Sequence, residues 1–217
     1  MSKAKLPFSL LFKLSFRIIL FLLIIYYIAT NQNSANANFI SNGIIILFTS
    51  FLPDIICLVF KFNISASIDF LVQSFIFMSL FMGKMYRYYS IWPFWDFFLH
   101  WLSGVILGFI ALTVLKPLAG KKAYPLLSPV FVSVFIFMFS ITGAVIWEFW
   151  EFAGDQLFGF DSQLFSLVDT MSDMISGSIG GFMVAIMGYM FIKRSSFRFL
   201  NGFANGAWRK SKKNKEA

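Results

Sequence analysis

Six runs of about 20 largely apolar residues divide this chain, and that pattern limits the fold more than any other feature. At 1.5 Å per residue, roughly 20 residues cross the hydrocarbon core of a bilayer as a helix. The runs are Leu14–Thr30, Gly43–Phe60, Ser65–Gly83, Asp96–Leu115, Pro129–Phe152 and Thr170–Ile192. Short polar links, or links carrying Pro93, Pro117, Gly120 and Gly154, separate them. Composition agrees: 59% of residues are hydrophobic, 13% are charged and 31 are Phe, more apolar surface than a water-soluble core can hide. The expected fold is all-α, a single polytopic transmembrane bundle with six spans over residues 1–217.

Orientation follows from the basic residues, which gather on the cytoplasmic side of membranes. With the N-terminus inside, all but Lys84 and Arg87 of the 18 Lys and Arg fall inside. That excess predicts an N-in, C-in topology, with the uncharged linker Asn31–Asn42 outside. Ala35-Asn36-Ala37 after the first apolar run could mark signal-peptide cleavage, but the gap is long, so a retained first helix is expected. The basic tail, residues 193–217, mixes Phe197, Phe199, Leu200, Phe203 and Trp208 with Lys and Arg. It is expected on the inner surface, beside anionic lipids. The partner implied is the lipid bilayer rather than nucleic acid, and oligomeric state is open. Cys57 is the only cysteine, so neither a disulfide nor a Cys-based metal site is expected.

The acidic residues carry the chemistry. On this topology span four opens at the outer face with Asp96 and His100, span five closes there with Glu148 and Glu151, then Asp155, and span six opens with Asp169 and Asp173. His100, Glu148 and Asp173 would lie roughly 6 Å inside their helix ends, with Asp96, Glu151 and Asp169 about one turn further out. The i, i+4 and i, i+3 spacings put each pair on one helix face. Gly104 and Gly108, Gly177, Gly181 and Ala185, and Ser140, Gly143 and Ala144 extend those faces as small-residue stripes, which pack helices closely in lipid. Asp96 and Asp169 alone would read as helix caps. The deeper three need partners, because a charge there costs ~2.5–3.5 kcal/mol even on lenient scales. Trp92, Trp95, Trp101, Trp147 and Trp150 at the same end read as an outer aromatic belt. Asp54 and Asp69 stand apart, in an ion path or, for Asp54, paired with Arg17 or Lys61.

The expected site is therefore a divalent-cation site (Mg²⁺, Mn²⁺ or Zn²⁺) ligated by His100, Glu148 and Asp173. Asp96 and Asp169 serve as further ligands, and Glu151 as the general base of any catalysis. Proton- or cation-coupled transport, and a non-catalytic accessory or resistance role, are the alternatives. There is no phosphate-binding Gly loop, nucleophile elbow or His-Glu-x-x-His.

The blocks Asp96-Phe97-Phe98-Leu99-His100, Trp147-Glu148-Phe149-Trp150-Glu151 and Asp169-Thr170-Met171-Ser172-Asp173, with Gly177 and Gly180-Gly181, resemble the uncharacterised bacterial membrane-spanning family that includes YjdF. The likeness covers Trp92 to Ile192. A weaker likeness is to VanZ-like proteins, linked to glycopeptide resistance, whose Lys after the first Asp and later Asn are absent here. The first resemblance implies a protein of the bacterial cytoplasmic (inner) membrane and brings no known reaction.

The topology is checked by labelling intact cells. A cysteine at Asn36 or Phe158 is expected to react from outside, and one at Ala119 is not; outside reaction at Ala119 would reverse the orientation.

Overall fold

The computed structural model describes residues 8–30, 38–59, 64–194, 200 and 203. Among them every regular element is helical. The helices are α1 (Phe8–Thr30), α2 (Asn38–Val59), α3 (Ala66–Ile76, continued by a π-helical stretch Phe77–Met85), the short α4 (Tyr88–Ile91), α5 (Trp95–Ala123), α6 (Pro129–Phe158) and α7 (Leu167–Arg194). Six are long and apolar enough to cross a membrane, α3 together with its π-helical extension. Their outer faces are apolar: Ile18 and Leu22 on α1 and Leu58 and Val59 on α2 are all exposed. Water would penalise so much contiguous apolar surface, whereas lipid does not.

The six runs hold as helices, but two expected turns do not. Pro117 lies inside α5. A proline removes one N–H donor, a cost a helix near its end can bear. The break falls at Gly120, whose φ of 76° and ψ of 165° belong to a region open almost only to glycine. Gly154 likewise lies within α6, which ends instead at Gly159 in the left-handed region, φ 67°. There the Gly159 and Phe160 N–H groups close back on the Asp155 and Gly154 carbonyls, as glycine C-caps do.

Two side-chain clusters organise the bundle. One joins α1, α2 and the π-helical stretch around Leu20, Ile24, Ile46, Phe81 and Met85. The larger joins α3, α5, α6 and α7 around Ile68, Leu112, Ile136 and Val184. It also takes in Leu200 and Phe203, whose ring stacks 4.5 Å from Phe109. Leu200 and Phe203 thus pack into the bundle; the other residues of 195–217 lie outside the described residues.

Packing of α5 on α7 is unusually close. A Cβ on Gly104 would fall 1.9 Å from the Gly177 carbonyl oxygen, and one on Gly180 would fall 2.1 Å from that of Trp101. Gly181 meets Ser140 of α6 in the same way, at 2.3 Å. Ser176 donates a 2.6 Å hydrogen bond to the Phe97 carbonyl, and Ser140 donates to those of Ile136 and Gly104. The small-residue stripes therefore face neighbouring helices, as the periodicity predicts.

Near the start of α1, the end of α2 and the start of α3, four charges meet. Lys13 Nζ lies 2.5 Å from Asp54 and 3.4 Å from Asp69, and Arg17 pairs with Asp54 while its guanidinium lies 4.1 Å over the Phe51 ring. Asp54 is thus paired with Arg17, as one reading of the sequence allows, and also with Lys13; Lys61 lies outside the described residues.

The glycine contacts predict a graded response to alanine. Gly104→Ala and Gly180→Ala collide with backbone and should lose folded, monodisperse protein, on the scale of ~1–3 kcal/mol or more for overpacking. Gly143→Ala meets only the side-chain tip of Leu107 and should be mild. Equal yields in all three would contradict the backbone contact.

Candidate functional site

The start of α5, the end of α6 and the start of α7 meet at one end of the bundle, opposite the Lys13/Asp54 cluster. Close contact at Gly104/Gly177 sits one turn below His100 and Asp173, so the helices have little room to diverge there. His100, Glu148 and Asp173 are all buried, at 7%, 3% and 3% exposure.

His100 is the centre. Its Nε2 lies 3.6 Å from Asp96 Oδ1 and 3.7 Å from Asp173 Oδ2. One ligand atom from each of Asp96, His100 and Asp173 lies within 4.8 Å of the others. The other ring nitrogen, Nδ1, lies 4.0 Å from Glu148 Oε1. The closest group is thus Asp96, His100 and Asp173, with Glu148 on the far side of the ring. The three helices converge as the sequence predicts, but Asp96 rather than Glu148 shares the Nε2 side.

These separations are compatible with a shared ion. Direct hydrogen bonds would be ~2.7–3.2 Å. Two ligands each ~2.0–2.2 Å from a common ion lie about 3–4 Å apart, which matches the Nε2 to carboxylate distances. Oxygens lacking hydrogen-bond partners point the same way: Glu148 Oε1, Asp169 Oδ2 and Asp173 Oδ2 are all buried. A divalent cation would meet that need, and the imidazole-plus-carboxylate donor set suits Mn²⁺, Mg²⁺ or Zn²⁺.

Other expected residues take different places. Glu151 accepts a 2.9 Å hydrogen bond from Trp147 Nε1 at a half-exposed position. Asp169 lies in the first turn of α7, but Ser166 is the residue that caps it, accepting from the Asp169 N–H. Asp155 anchors the loop after α6: its carboxylate oxygens accept from the Ser162 and Gln163 N–H groups at 2.8 and 3.0 Å. Trp92, Trp147 and Trp150 are exposed as a belt requires, whereas Trp95 is buried against Tyr88, Trp92 and Phe98.

Three contributors were not anticipated. Gln163, held by the Asp155 loop, donates from Nε2 to Glu148 Oε2 at 3.1 Å. A lone loop glutamine carries no spacing signal that would have revealed it. Tyr89 of α4 faces the acidic group: burial, then the charges of Asp96, Glu151 and Asp173, pushes its hydroxyl above the ordinary range. The Ser166 cap was legible, since Ser166-x-x-Asp169 has capping-box spacing.

A family profile described as a predicted membrane protein family, DUF2238, matches residues 12–194. The chain belongs to the DUF2238 family. The match extends beyond the second half of the chain to α1, α2 and α3, and so includes both the Lys13/Asp54 cluster and the His100 group. No curated protein and no solved structure matches the chain. DUF2238 membership therefore names a multi-pass membrane protein without a reaction, and the His100 group carries the functional argument.

Proposed function

We propose that this chain is a protein of the bacterial cytoplasmic membrane, with both ends inside, that holds one divalent cation at its outer end. Asp96, His100 and Asp173 are the ligands, and Mn²⁺ or Mg²⁺ fits one imidazole among carboxylates better than Zn²⁺. The observation that carries this reading is the pair of Nε2 separations, 3.6 Å to Asp96 and 3.7 Å to Asp173. The three acidic blocks further support kinship with the family that includes YjdF, and the basic tail fits a cytoplasmic leaflet rich in anionic lipid.

Each remaining residue has a role in this account. Glu148 lies 4.0 Å from Nδ1 and would fix ring and tautomer once the two close to hydrogen-bond distance, as carboxylates beside metal-bound histidines do. Asp169, one turn further out on α7, is a reserve ligand. A cation here would act as a Lewis acid and lower the pKa of a bound water, and Glu151, oriented by Trp147, would take its proton. The substrate then comes from the lipid-linked or envelope material at the outer face. Transport has less support: Asp54 and Asp69, which would extend a path to the inner face, are engaged by Lys13 and Arg17.

Metal content tests the reading. Protein purified from Mn²⁺- and Zn²⁺-supplemented cells should carry about one ion per chain. His100→Ala and Asp173→Asn should lose it while remaining in the membrane at normal levels. Glu148→Gln should weaken affinity about 10–100-fold, the usual effect of losing an outer partner. A metal-free wild type, or equal metal in His100→Ala, would overturn the site.

A further inference from the structure

Beside Glu148 a groove of about 460 Å³ opens between the end of α6, the following loop and the start of α7. Its walls include Phe152, Phe165, Leu167 and Met174. Its polar lining includes Glu148, Gln163 and Thr170, beside Asp155, Gln156 and Ser166. Glu148 therefore has two neighbours: one oxygen faces His100 Nδ1 at 4.0 Å, and the other is held by Gln163 in the groove.

The loop that borders this groove mixes Asp161, Ser162 and Gln163 with a strained apolar pair. Leu164 and Phe165 both adopt positive φ, 50° and 52°, which costs non-glycine residues energy. Leu164, Phe165, Leu167 and Val168 nevertheless present their side chains outward, with Phe165 85% exposed. Apolar side chains held outward at the end of two spanning helices suit contact with lipid, which would open the groove to the bilayer.

Charge decides what kind of lipid fits. From Ala123 to Ile192 the chain has no Lys or Arg, while it carries Glu148, Glu151, Asp155, Asp161, Asp169 and Asp173. An anionic head would meet carboxylates with no countercharge on either helix. A head bearing an ammonium group would meet the Glu148 Oε2 that Gln163 holds in the groove, and a primary ammonium supplies donors that this carboxylate and the Thr170 hydroxyl can accept.

We propose that the groove beside Glu148 holds a membrane lipid whose polar head carries a primary ammonium group. Its acyl part lies along Phe152, Phe165 and Met174, and its head lies at Glu148, Gln163 and Thr170. This gives the metal-site reading its substrate class, and it rests on that reading for the chemistry but not for the binding.

The test uses the full chain in nanodiscs of equimolar phosphatidylethanolamine and phosphatidylglycerol, with retained lipid read by native mass spectrometry after release into detergent. The wild type should retain phosphatidylethanolamine about fivefold over phosphatidylglycerol, the scale of a single ion pair worth about 1 kcal/mol. Glu148→Gln should bring the two to parity, and Met174→Trp, which fills the apolar part, should lower retention of both. Equal retention of the two lipids by the wild type, or undiminished retention of both in Met174→Trp, would overturn the proposal. Preference for phosphatidylglycerol that requires Mn²⁺ and vanishes with EDTA would overturn the ammonium assignment while leaving the metal site standing. Ethanolamine preference in a metal-free wild type would support the lipid site and sink the metal reading.

Discussion

Backbone contact between α5 and α7 is the constraint on which the site depends. In lipid there is no hydrophobic drive to bring helices together, so they associate through close packing and interhelical hydrogen bonds. Gly104 and Gly180 bring the α5 and α7 backbones into direct contact, and Ser176 adds a hydrogen bond to the Phe97 carbonyl. One turn above that contact sit His100 and Asp173. Their 3.7 Å separation is a consequence of where the glycines are. The same register places Asp96, one turn before His100 on α5, within reach of the same ring nitrogen.

Two polar clusters occupy opposite ends of the bundle and differ in charge balance. At one end Lys13 and Arg17 face Asp54 and Asp69, so cations and carboxylates match. At the other, Asp96, Glu148 and Asp173 surround a single imidazole, and no Lys or Arg contacts the group among the described residues. Buried ionisable groups in a bilayer each cost a few kcal/mol unless paired. The first cluster balances its charges internally, although both Asp69 oxygens lack a hydrogen-bond partner, and reads as an interhelical tie. The second lacks positive charge, which a divalent cation, and at its edge a lipid ammonium, would provide.

Much of this was written in the sequence. Six apolar runs gave the spans because helix rise and bilayer thickness leave little freedom. Periodicity of 3.6 placed Asp96 with His100, Asp169 with Asp173, and the glycines below them on shared faces. What periodicity lacks is rotation of one helix against another, so the sequence could not say that Asp96, rather than Glu148, would share the Nε2 side of His100. It also lacks the energetics of breaks: Pro117 and Gly154 read as turns, yet the helices run through them and stop at Gly120 and Gly159, where positive φ is adopted. Gln163 and Tyr89 were invisible because only the folded loop and α4 bring them to the acidic group. The π-helical stretch at Phe77–Met85 has no sequence cause that we can name.

X-ray absorption at the manganese edge of Mn²⁺-loaded protein tests the central claim most directly. A shared site at Asp96, His100 and Asp173 predicts one imidazole nitrogen in the coordination shell, with the remaining ligands oxygen, at about 2.0–2.3 Å. The imidazole signal should vanish in His100→Ala. A shell of oxygen alone in the wild type would place the ion elsewhere and contradict the assignment of His100 as the centre.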